Sequence, residues 1–154
     1  MSSALKPALD LMGVRTPEEL YQKFLAQQQS RALAPGDTAA PTPKQLQFIA
    51  TLERLNMLSD DGDVVCRRLI LSMWFFHEAI RLLKSGNREK ILECIDKAKS
   101  YDILAKRRLL IWTLHALLHG NVEEARQWAS QIEKPEERKA ADDFFRVHKL
   151  GKLI

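Results

Sequence analysis

The chain has 154 residues, 45% of them hydrophobic and 29% charged, with a formal net charge of +4. That length suits one domain with its own core, and the composition is that of a globular protein. Leu and Ala dominate, and no Val, Ile or Thr run alternates with a two-residue period. The pattern predicts an all-α fold and excludes a β-rich one. The densest apolar stretches, 69–76 and 109–118, lie between charged residues and are too short to span a bilayer.

Residues 1–14 carry Leu5, Leu9, Leu11 and Met12, with Pro7 and Gly13 limiting any helix. No charged segment followed by an unbroken apolar core marks a signal peptide. Thr16-Pro17-Glu18-Glu19 then announces a helix through about residue 31. Thr16 can cap the amide three residues on, Pro17 suits the first helical position, and Glu19 can reach back. Residues 30–42, with Pro35, Gly36 and Pro41, read as a linker. The expected organisation is an N-terminal helical arm over 1–33, a flexible linker over 34–41, and a helical hairpin domain over 42–154.

Thr42-Pro43-Lys44-Gln45 repeats the start signal. Leu46, Phe48, Ile49, Leu52, Leu55 and Leu58 follow at helical spacing. Residues 59–63 form a turn whose acids lack the length, spacing and closing Glu of a calcium loop, so no metal is expected there. Residues 64–85 are apolar on several faces, as in a helix surrounded by others. Gly86-Asn87 ends that helix, and a milder amphipathic one follows over 88–100. A second apolar helix over 103–119 ends at Gly120-Asn121, a short one covers 122–132, and Pro135 with Glu136-Glu137 opens a last one to about Leu150.

Gly86-Asn87-Arg88-Glu89 thus returns as Gly120-Asn121-Val122-Glu123, 34 residues later. Long apolar helix, turn and shorter amphipathic helix occur twice, and short connections make neighbours antiparallel. From about residue 73 to 137 this resembles tetratricopeptide repeats. Ala125 stands at that family's small packing position in the second helix, and Ala79 and Thr113 fall where it wants a small residue between paired helices. Ile91 replaces the alanine of the first copy, and Pro135 comes two residues early. An irregular helical bundle with two similar hairpins is the other reading. The resemblance implies a concave surface lined by Met73, Phe76, Ile80 and Lys84, then Arg107, Leu110, Leu114 and Leu117. Such a face would hold an amphipathic helix or an extended peptide.

Other residue sets invite chemistry. His115 and His119 stand four apart on one helix, but the Glu of a zinc-protease helix is missing and no Asp or Cys adds a third ligand by spacing. No metal site is expected. Lys97, Lys99, Lys106, Arg107 and Arg108 cluster near Tyr101. Cations in a helix's first turn oppose its dipole, which makes this region a candidate anion contact. Residues 1–77 hold 8 basic and 8 acidic side chains and residues 78–154 hold 16 and 12, which adds a little to the case for an acidic or nucleic-acid partner. Cys66 and Cys94 form no metal pair and suit a reduced, cytoplasmic protein.

No Gly-rich phosphate loop, nucleophile elbow or local Cys–His pair is present, so neither catalysis nor a cofactor is expected. The expected function is a non-enzymatic adaptor or complex subunit that binds a protein partner through stacked hairpins. The alternative is a basic nucleic-acid-associated factor using residues 97–108. No motif specifies an oligomeric state.

Overall fold

The computed structural model describes residues 6–16, 19–20, 22–24, 41–58, 64–83, 85, 87–103 and 108–149. Among these the secondary structure is helical throughout, with no strand. Helix α1 is Lys6–Met12, α2 is Pro43–Leu58, α3 is Val64–Leu82, α4 is Arg88–Tyr101, α5 is Leu109–Leu118, α6 is Val122–Ala129 and α7 is Pro135–Lys149. Residues 19, 20 and 22–24 are helical as well.

Local chemistry explains most of the boundaries. Gly13 (φ 67°) closes α1: its amide donates to Asp10 O at 3.2 Å and the Val14 amide to Leu9 O at 3.1 Å. These paired bonds satisfy carbonyls that the last helical turn leaves over, and the left-handed residue suits glycine. Gly120 (φ 81°) closes α5 the same way, with its amide on Leu117 O at 3.1 Å and that of Asn121 on Ala116 O at 2.8 Å. At the start of α2 the expected reciprocal cap is complete. The Gln45 amide donates to Thr42 Oγ1 at 3.2 Å, and the Thr42 amide to Gln45 Oε1 at 2.8 Å. At Thr16 only half of the motif forms, for Glu19 accepts from the Arg15 amide at 3.4 Å and not from Thr16.

The two Gly-Asn segments do different work. Asn87 is the N-cap of α4, its side chain accepting from the Lys90 amide at 3.2 Å, whereas Asn121 makes no side-chain cap bond. Helix α3 ends at Leu82, three residues before the expected end at Ser85. Gly86 itself lies outside the described residues. The helices α3 and α4 pack as one hairpin, α5 and α6 as the next, and α4 lies against α5. Helix α7 packs on α5, while α2 covers α3 and α1 packs on α2.

The larger departure is at α5, expected from residue 103 and beginning at Leu109. Asp102 sets that start. It is 6% exposed, and its Oδ2 accepts from the Arg108 amide at 3.0 Å and from Trp112 Nε1 at 2.8 Å. A carboxylate there complements the positive end of the helix dipole. Behind it, Arg68 of α3 donates to the carbonyls of Ser100 (2.6 Å), Tyr101 (3.1 Å) and Asp102 (3.4 Å), the last acceptors of α4.

One core cluster runs from Leu9, Leu20 and Phe24 through Leu52, Phe76, Ile95 and Leu114 to Phe144. The α1 segment therefore shares its packing with the hairpins. Leu46, expected on the buried stripe of α2, is exposed. The linker of 34–41 lies outside the described residues except for Pro41, and so does the acidic turn at 59–63. No helix among the described residues is long and apolar enough to cross a membrane.

Candidate functional site

The surface expected to be concave is core. Phe76, Ile80, Leu110 and Leu114 are fully buried, Leu117 nearly so, and Met73 is half-buried against the same cluster. Helices α3 and α5 are each packed by more than one neighbour, so their apolar faces are taken up inside the chain. Lys84 and Arg107 lie outside the described residues. Ala79 and Thr113 are fully buried between helices.

The cation cluster is largely engaged internally too. Lys97 Nζ pairs with Glu53 at 3.2 Å and Glu93 at 3.6 Å, and lies 4.9 Å from the Phe75 ring centroid. Lys99 Nζ stands 4.5 Å from the Trp112 ring centroid. Arg108 pairs with Glu137 of α7 at 3.6 Å and covers the Phe76 ring at 5.1 Å. Lys106 lies outside the described residues. The dipole conflict expected at Lys106–Arg108 is relieved at Arg108, the N-cap residue of α5, by the Asp102 carboxylate. Next to it Tyr101 donates to Glu53 Oε2 at 3.1 Å and stacks on Phe75. Burial, then the Glu53 charge, pushes its phenol up to about 12.

No Asp or Cys joins His115 and His119 by spacing along the sequence, but the fold brings a carboxylate to them. Asp96 of α4 puts Oδ1 3.0 Å from His115 Nε2 and 2.7 Å from His119 Nε2. The donor atoms of all three residues lie within 4.8 Å of one another. Burial, followed by the charges of Lys99 and His119, lowers the His115 pKa against the pull of Asp96. Sequence spacing could not reveal Asp96, because it joins the pair only where α4 crosses α5.

The described residues line at least two open grooves. One, of about 620 Å³, runs between α6 and α7, floored by Val122, Ala129 and Phe145 and edged by Arg126, Arg138, His148 and Lys149. Arg126 also pairs with Glu123 at 2.6 Å, and Asp142 is the carboxylate among the lining residues. The other, of about 510 Å³, lies among α2, α3 and α4, over Ile49, Trp74, Phe75 and Cys94. Its rim is mixed in sign, with Glu53, Glu78 and Glu93 against Arg81, Lys90 and Lys97. The Glu78–Arg81 pair on that rim is bonded at 2.8 Å. No protein-family model, no curated protein and no solved structure matches the chain.

Proposed function

We propose that this chain is a non-enzymatic adaptor, a cytoplasmic subunit of a larger assembly, and that it docks an acidic amphipathic helix in the groove between α6 and α7. The observation that carries this reading is the character of that groove: an apolar floor with a cationic rim, at the end of the hairpin stack. A helix with apolar residues three and four apart fits such a floor, and acids on its flanks meet Arg126, Arg138, His148 and Lys149. Charge complementarity of this kind speeds encounter and fixes orientation more than it adds affinity.

A degenerate tetratricopeptide-like array is the architecture that suits this use, with the binding surface moved from the inner helices to the final hairpin. The nucleic-acid alternative has less support, since Lys97, Lys99 and Arg108 are engaged within the chain.

Affinity capture from native extract tests the reading, with full-length wild type beside a Phe145→Asp, Lys149→Glu variant. A protein retained by wild type and lost by the variant supports it. Equal retention by both removes the groove, and capture of nothing but nucleic acid removes the adaptor.

A further inference from the structure

We propose that Asp96, His115 and His119 form a site for a divalent transition metal of the zinc type, which staples the first hairpin to the second. The histidines stand one turn apart on α5, their ring centroids 4.4 Å apart. Both aim the same ring atom, Nε2, at one oxygen of Asp96 on the neighbouring helix. His119 is the C-cap residue of α5, where a protonated imidazole complements the dipole. That role needs one imidazole. Two imidazoles and a carboxylate converging from two helices make a ligand set.

The donor chemistry selects the ion. Two nitrogens and one carboxylate oxygen suit Zn²⁺ and its late transition-metal neighbours, whereas Mg²⁺ and Ca²⁺ favour shells of oxygen. Zinc bonds of about 2.0–2.2 Å at a tetrahedral centre separate the donor atoms by roughly 3.3 Å. The present Nε2–Oδ1 distances, 3.0 and 2.7 Å, need to open by only a few tenths of an ångström. The Asp96 side chain is 51% exposed and can draw back that far. Asp96 and His119 are exposed and His115 is half-buried, which leaves the ion an entry path and water access to the fourth position. On ligation each ring must carry its one proton on Nδ1 and release to water the Nε2 proton that faces Asp96, so that Nε2 turns its lone pair to the ion. Lys99 opposes the site, for its charge acts on His115 while its ammonium rests over Trp112.

The test is calorimetric titration of the full chain with Zn²⁺, with visible absorption of Co²⁺ as the geometric readout. Wild type should bind one ion with the spectrum of a tetrahedral site and should melt at a higher temperature with Zn²⁺ present. His115→Asn, His119→Asn and Asp96→Asn should each weaken binding at least about tenfold, with circular dichroism checking that each is folded. Lys99→Ala keeps all three ligands and should tighten binding several-fold, a gain that misfolding cannot mimic. The site is overturned if wild type binds no tighter than a variant carrying both His115→Asn and His119→Asn, or if its binding ignores all four single substitutions.

Discussion

Replacing Asp102 with alanine tests how the second hairpin begins. The side chain is 6% exposed and its Oδ2 serves two donors, the Arg108 amide at 3.0 Å and Trp112 Nε1 at 2.8 Å. Hydrogen bonds to a charged acceptor contribute about 1.5–3 kcal/mol each, and the two share one acceptor atom, so their sum is an upper bound. Removing the carboxylate also relieves its desolvation, which offsets part of the loss. A net destabilisation of about 3 kcal/mol follows, and for a chain of this size that is a fall in Tm of roughly 6–12 °C. Asp102→Asn keeps an acceptor oxygen without the charge and should lose about 1 kcal/mol. Urea unfolding followed by tryptophan fluorescence and by circular dichroism measures both. The reasoning fails if the alanine variant loses less than about 1 kcal/mol, or if asparagine is as damaging as alanine.

Three further outcomes are expected. Gly120→Ala should cost about 1 kcal/mol, because a Cβ there meets nothing within 4 Å and only the φ of +81° penalises it; Gly120→Asn should cost less in the same urea titration. Leu114→Ala, at a fully buried position, should destabilise by about 2–5 kcal/mol, whereas Leu46→Ala, at 51% exposure, should stay within about 0.5 kcal/mol of wild type. Burial pushes the Cys94 thiol up to about 11 from 9.0, so its alkylation, followed by peptide mass, should be slow at neutral pH in the folded protein. A raised folded pKa gives stability that is whole below 9.0 and is lost as pH rises toward about 11, so Cys94→Ala should flatten that alkaline decline.

Fold class was legible because helical spacing and caps are local. Thr42 and Gln45 find each other within one turn, and Gly120 needs only its own φ. The start of α5 was not legible. Nothing in residues 103–108 breaks a helical pattern, and Asp102 caps an amide six residues on, farther than the two or three of an ordinary N-cap. The site residues failed for a different reason. Hydrophobic periodicity tells which residues leave water but not whether the cover is the same chain or a partner, so Phe76, Ile80 and Leu110 fit either description until α2, α4 and α7 are placed over them. Asp96 lies 23 residues from His119, and only the crossing of α4 and α5 brings them together. The α6–α7 groove likewise joins residues from two helices, and no single stretch of sequence carries its basic rim.

The grip of Arg68 on the final carbonyls of α4 shapes how the first hairpin comes apart. The short connection between Leu82 and Arg88 ties one end of the pair, and a guanidinium from the opposite helix fastens the other. Peeling α4 away from its C-terminal end must first break those bonds, so its last turn gains the protection usually reserved for the middle of a helix. The first hairpin is thereby held at both ends and is expected to open as a unit.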